Sequence, residues 1–409
     1  MTEAVSLPSN ANEKAEGNAP ASNSRRTVLV TDGEERSALA VVRSLGRAGY
    51  RCIVASATGR SLAGSSRFAE LDLRIPPSST QPSEFATAIQ HAIDTHAVDL
   101  LLPISESALL ALLPVRESLR VRLPFPALDV FERICDKATV LEASQSLGIR
   151  VPRQQVIRDA ADAAGVPLPT VLKPARSVFT DADGRRGKTT VTWARTPAEL
   201  RSAMTSYPAA AYPILAQEVI DGPGVGVFVL LAEDGIKASY SHRRLREKPP
   251  SGGVSVLRRS EPMRAELLER TIALLQRLGW TGIAMVEYKL DSATDEPVLM
   301  EINGRFWGSL QLAIDAGVDF PRIVADLSFG DRIAPVKDYR TVWSRWFWGD
   351  VDHVIALWRD SRASFRQRVR AVAGFIRAAS PDYRSEVLRL DDPAPFFHES
   401  KLWIRDVVR

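Results

Sequence analysis

The stretch MVEYKLDSATDEPVLMEINGR, residues 285–305, reads as two apolar strands joined by a polar turn, a β-hairpin. Alternate side chains of a strand share a face, so Glu301, Asn303 and Arg305 point one way while Met300 and Ile302 point into a core. Glu287, on the partner strand, is placed to meet them. Two carboxylates and a carboxamide oxygen then converge between apolar walls. Like charges in a partly dry site repel, and take up protons unless a cation holds them apart. Hard oxygen donors in this number suit Mg²⁺ rather than zinc. Mg²⁺ takes few protein ligands and fills its shell with water and phosphate oxygens, so the set also points to a nucleotide. Alternation alone leaves a second reading open: an exposed hairpin with its charges turned to solvent.

Upstream, two lysines favour the first reading. Lys137 lies in CDKAT, 135–139, and Lys173 ends the apolar strand TVLKP, 170–174, where a cation needs an anion to meet it. The loop 176–188 carries DGRRGK and is a flexible basic stretch suited to fold over phosphates and exclude water. It is not a Walker A loop, because GxxxxGK[ST] is not met. Next come AQEVI, 216–220, and DGPGVG, 221–226. A strand edge of this kind can read adenine by main-chain hydrogen bonds while Glu218 or Asp221 accepts from ribose hydroxyls; a structural hairpin explains the same glycines. In HRRLREKPPSGG, 242–253, Arg246 and three other cations stand beside a Pro/Gly loop. Guanidinium forks suit carboxylate or phosphate, so a substrate loop is expected, with a solvated charge run as the alternative.

Before the hairpin, residues 26–128 alternate short apolar runs such as TVLV, 27–30, and CIVA, 52–55, with amphipathic stretches, which predicts a parallel sheet with helices on its faces. No GxGxxG follows the first strand, which argues against a dinucleotide site. A helix is expected over 129–147, stopped by Gly148. The middle region, 129–334, is rich in strands, with helices at 197–206 and 266–278 and a lid subdomain at about 150–220. After 335, Trp343, Trp346, Trp348 and Trp358 crowd together, then a helix over 361–378 places Phe365, Val369, Val372 and Ile376 on one stripe among arginines. Such a helix suits an anionic membrane surface; the alternative is a helix docked on the protein with a solvated basic face. Residues 1–25 lack any apolar period and read as a disordered tail, without a secretory signal.

Composition bounds the rest. With 45% hydrophobic and 25% charged residues the chain is ordinary for a globular protein, which excludes general disorder. A net charge of +4 is too diffuse for a nucleic-acid binder, so no nucleic acid is expected. Cys52 and Cys135 stand far apart without a CxxC, against a zinc site or a disulfide framework. A cytoplasmic location is expected, at most peripheral to the inner membrane surface.

In this order, Lys137, Lys173, QEVI at 217–220, Glu287 and EINGR at 301–305 resemble the ATP-grasp superfamily over about 26–331. GRFWGSL at 304–310, with the 242–253 segment, is similar to its bacterial branch of predicted carboxylate-amine ligases. The fold class implied is α/β and α+β: an ATP-grasp fold preceded by a Rossmann-like parallel-sheet domain, with a helical C-terminal extension. The resemblance implies that Lys137, Lys173, Gln217, Glu218, Val219, Ile220 and Asp221 bind ATP. It implies that Glu287, Glu301 and Asn303 hold Mg²⁺, with Mn²⁺ as a substitute, and that Arg305, Lys173 and Arg246 are the catalytic cations. Small-molecule carboxylate and amine substrates follow, joined through an acyl phosphate. The alternatives are a phosphotransferase on the same scaffold and a non-enzymatic basic adaptor on an anionic surface.

Overall fold

The computed structural model describes residues 25–181, 186–189 and 191–408; the expected tail before residue 25 and positions 182–185 of the lid loop lie outside them. The first layer is a four-stranded parallel sheet, β1 (Thr27–Val30), β2 (Arg51–Ser56), β3 (Ala69–Arg74) and β4 (Leu100–Leu102), in the order β3-β2-β1-β4. β1 and β4 are buried throughout, which is why they read as unbroken apolar runs rather than alternating ones. Helices α1 (Arg36–Arg47), α2 (Pro82–His96) and α3 (Glu106–Leu112) interleave with these strands.

Where one helix is expected over 129–147 there are two, α4 (Leu128–Cys135) and α5 (Lys137–Ser146). Asp136 breaks them. Its backbone is extended (φ −86°, ψ 104°), and its carboxylate accepts from the amides of Ala138 and Thr139, capping α5. The cap outweighs helix continuity at this residue, and it makes Lys137 the first residue of a new helix. Gly148, at φ +67°, ends α5 as expected.

The lid is an antiparallel sheet built from β5 (Gln154–Ile157), β6 (Thr170–Pro174), β9 (Thr192–Ala194) and β10 (Ile214–Glu218), in the order β5-β10-β6-β9. A short ribbon, β7 (Val178–Thr180) with β8 (Arg186–Lys188), lies between them in sequence. Helix α6 (Pro197–Ser206), capped by Thr196, closes the lid's own core through Leu200 and Met204 against Leu172 and Ile214. Arg186 ties the ribbon to the first domain. Its amide donates to the Ser79 carbonyl, and its guanidinium to the carbonyls of Ser107 and Leu110.

The largest sheet has seven strands: β11 (Gly224–Ala232), β12 (Gly235–Lys248), β13 (Val254–Ser260), β14 (Gly282–Leu290), β15 (Pro297–Asn303), β16 (Trp343–Arg345) and β17 (Tyr383–Ser385). Their order is β15-β14-β11-β12-β13-β16-β17. Phe228, Tyr240, Trp307 and Phe320 fill its main core beside α7 (Ala265–Arg277), α8 (Leu310–Ala316) and α9 (Phe320–Ser328). Two expectations change here. The cationic run after His242 is strand, not loop: β12 continues to Lys248, and only 249–253 turn. The extension after 335 is not only helical, because β16 pairs with β13 and β17 with β16.

Helices α10 (Phe347–Arg359), α11 (Phe365–Arg377) and α12 (Ala394–Val408) complete the chain. The tryptophans are packing residues: Trp348 stacks on Trp403 with centroids 4.1 Å apart, and Trp346 lies under the Arg36 guanidinium at 3.8 Å. Helix α11 does dock on the protein, but through Ala371, Phe375 and Ala378. The stripe read as its apolar face is turned to solvent at Phe365, Val369 and Ile376.

Candidate functional site

The hairpin β14–β15 sets Glu287 directly across from Glu301, so the two carboxylates share one face. Met300 does not alternate into the core as expected. The ladder shifts between Glu287 and Tyr288, so Leu299 takes the buried place opposite Tyr288 and Met300 is the extra residue of a β-bulge, half-buried. The amide of Asn303 donates to Glu301 at 3.0 Å, and its oxygen accepts from Arg305 at 3.1 Å. Arg305 also donates to the Phe306 carbonyl.

From the lid, Lys173 ends β6 almost fully buried; from α5, Lys137 donates to the Ser177 hydroxyl at 2.8 Å while its amide holds the Ala175 carbonyl. These two lysines and the two glutamates are in electrostatic contact. Burial pulls the Lys173 ammonium below its ordinary range and Lys137 adds to that, against the attraction of Glu301 and Glu287. Burial pushes the Glu301 carboxyl up, yet Lys137, Lys173, the Asn303 amide and Arg244 together hold it below the ordinary range. Glu287 goes the other way: burial raises it, and Glu301 raises it further, against Arg244. Adjacent carboxylates whose pKa values are pushed in opposite directions mark a candidate functional site.

Two members were not singled out from the sequence. Arg244 meets Glu287 at 2.5 Å, and it lies along β12 where Gly224 leaves room. A Cβ on Gly224 would stand 2.8 Å from the Arg244 side chain, so this glycine of the 221–226 stretch serves the crossing. Lys289, two residues after Glu287 on the same face, donates to the Ile220 carbonyl at 2.9 Å. Its spacing from Glu287 was the available signal. His242 sits across Gly226 from Glu287, and neither ring nitrogen has a hydrogen-bond partner among the described residues. Burial, with Arg244 and Arg258, holds it well below its ordinary pKa, so the imidazole is neutral.

The remaining expected residues fall in two groups. Gln217 is buried in β10 and donates to Gln154; Glu218 accepts from both the amide and the side chain of Arg153; Val219 and Ile220 follow toward the exposed Asp221, whose carbonyl accepts from Ser292. This strand end runs beside Lys289. Arg246, in contrast, is not brought to the glutamates: beyond the irregularity at Leu245 it pairs with Asp350 at 3.0 Å and donates to the Gly374 carbonyl.

Among the described residues no group of three or more His, Cys, Asp or Glu is placed to hold a metal. The donors at the hairpin are two carboxylates and one amide oxygen, a set of hard oxygens that fits Mg²⁺ completed by water and phosphate. Nor is any helix among the described residues long and apolar enough to cross a membrane.

A family model described as ATP-grasp in the biosynthetic pathway with Ter operon matches residues 211–346, the stretch from β10 to β16. Among solved structures the chain is similar to an L-amino acid ligase from Bacillus licheniformis, at 17% identity over 78% of this chain and 79% of that one, with a TM-score of 0.60. It is similar to an N5-carboxyaminoimidazole ribonucleotide synthetase in its ADP complex, at 16% identity over 78% and 80%, TM-score 0.60. A biotin carboxylase from Campylobacter jejuni, in a β-γ-ATP complex, follows at 15% identity over 76% and 72%, TM-score 0.58. At these identities the likeness shows the fold. No curated protein matches the chain.

Proposed function

We propose that this chain, which has the ATP-grasp fold, uses ATP to activate a carboxylate and joins it to an amine. The observation that carries this reading is the meeting of Glu287 and Glu301, paired across a hairpin, with Lys137 from α5 and Lys173 from the lid. Carboxylates so close need a cation, and lysines so buried need an anion; a magnesium nucleotide supplies both. Glu287, Glu301 and the Asn303 oxygen would hold Mg²⁺, or Mn²⁺ in its place, which would neutralise phosphate charge. Lys137, Lys173 and Arg305 face the transferred phosphoryl group, and 217–221 lie along the adenine side. Positioning and fixed charge then do most of the work.

The substrate carboxylate oxygen bonds to the γ-phosphorus as the bond to ADP breaks. The amine nitrogen next attacks the acyl carbon, phosphate leaves, and the nitrogen loses a proton. No protein nucleophile is needed. Arg244 pairs with Glu287 and opposes the upward push of burial and Glu301 on its carboxyl.

The test is ADP release against a panel of amino acids, peptides and sugars offered in pairs. Turnover that requires both an acid and an amine, with a product mass equal to the pair less one water, is the expected result. A phosphorylated compound that persists as the sole product would replace this reading with a phosphotransferase. Failure to bind nucleotide by calorimetry would sink both.

A further inference from the structure

We propose that α11 is a docking surface that seats the chain on a bilayer bearing anionic headgroups. A helix packed on its own protein ordinarily turns its apolar stripe inward. Here Phe365, Val369 and Ile376, which fall in one narrow sector of the helix, are 74%, 46% and 66% exposed. The helix is held from the other side, by buried Ala371 and Ala378 and by Phe375 against Phe347. Its start is fixed by a full capping box, Ser364 with Gln367, so the stripe is displayed by a formed helix. Trp358, half-exposed near the end of α10, lies under Arg368, a pairing suited to the headgroup layer.

Charge selects the occupant. Residues 361–381 contain Arg362, Arg366, Arg368, Arg370 and Arg377 and no Asp or Glu, while the whole chain carries only +4. The surplus of the entire protein is therefore in this segment, and Arg362, Arg366, Arg370 and Arg377 are exposed. A second copy seated face to face would set arginine against arginine. Nucleic acid would leave Phe365 and Ile376 in water. An anionic bilayer satisfies both, taking the apolar side chains below the phosphate level and the guanidinium groups at it.

The experiment is flotation of the full chain with mixed phosphatidylglycerol–phosphatidylcholine vesicles and with pure phosphatidylcholine. Partition onto the mixed vesicles should exceed that onto the neutral ones by about tenfold or more and should fall as salt is raised. Replacing Arg366→Gln, Arg370→Gln and Arg377→Gln together should lower it about a hundredfold, at roughly fivefold per arginine. Phe365→Ser with Ile376→Ser should lower it about tenfold. ATP turnover should be unchanged in both variants, and the arginine variant, altered only at exposed positions, stands if the other loses its fold. Equal partition onto both vesicles, no partition at all, or full partition by the arginine variant would overturn the proposal. So would a dimer in sedimentation that the Phe365/Ile376 variant abolishes while vesicles are ignored, since that assigns the face to a second copy.

Discussion

Toward one edge of the large sheet Asp350 stands between Arg246 and Arg345, and Glu386 between Arg36 and Arg258; toward the other edge Glu287 and Glu301 face each other. The first region is closed. Each carboxylate is bracketed by two guanidinium groups, and the side chains of Asp350, Glu386 and Arg258 are almost wholly out of water. In the second, acid neighbours acid with one guanidinium, Arg244, on Glu287, and among the described residues the Lys137 side chain hydrogen-bonds to a hydroxyl and that of Lys289 to a carbonyl. One arrangement is saturated by protein charge, and the other is left to be completed. Buried charge by itself therefore does not mark a site; the composition of each group's neighbours does.

The sharpest way to break this contrast is at Asp350. Asp350→Ala leaves two buried guanidinium groups uncompensated, and denaturant unfolding should show a loss of about 3–5 kcal/mol. A loss under about 1 kcal/mol would mean the network is not closed at all. Glu301→Gln should lower ATP turnover by about two to three orders of magnitude, and the unfolding midpoint should fall as well, because Lys137 and Lys173 lose the anion that faces them. If turnover is retained, the metal assignment fails.

A third test concerns a carboxyl of the first region whose hydrogen-bond donor is an indole rather than an arginine. Glu399 accepts from the Trp346 indole, and burial pushes it up from 4.5 to about 7. The folded chain thus binds this proton more tightly than the unfolded one. Its contribution is fully present below about pH 4.5 and lost as pH rises through about 7. Melting temperatures followed across that window should fall in the native protein and stay flatter in Glu399→Gln, a difference on the order of 1–2 kcal/mol. The smallest effect belongs to Arg153, which holds Glu218 from a side chain 89% exposed. Arg153→Ala should change stability by under about 1 kcal/mol, and a nucleotide affinity change beyond a few-fold would show that Glu218 needs its clasp.

The acid pair was legible in the sequence because strand alternation is local: residues 285–305 contain both strands and their turn. The lysines upstream were still needed to favour a site over an exposed hairpin, and the bulge at Met300 was not foreseen. Lys173 was legible for the same reason, as the charged end of an apolar run. Arg244 was not. Its run ends in Pro and Gly and reads as loop, and only pairing with β13 keeps it extended. The break at Asp136 was hidden by continuous helix propensity on both sides, since a cap asserts itself through two amide hydrogen bonds rather than through composition. Strands β16 and β17 are three residues each, and β16 pairs with residues from Leu257 to Arg259 far upstream, a distance at which local pattern carries no signal. The α11 stripe was legible as a period, but a period alone does not say which side of it faces water.

Among the described residues the Arg186 guanidinium hydrogen-bonds to the first domain through main-chain oxygens, those of Ser107 and Leu110, while its own amide reaches that of Ser79. Such an anchor is blind to the side chains around it. A change of side chain at Ser79, Ser107 or Leu110 therefore leaves the acceptors of this anchor in place. Elsewhere the N-terminal sheet is fastened by side chains, with Arg43 on Asp392, Ser44 on Asp319 and Tyr50 on Asp326, so substitutions at those acids rather than around the ribbon are the ones that would loosen it.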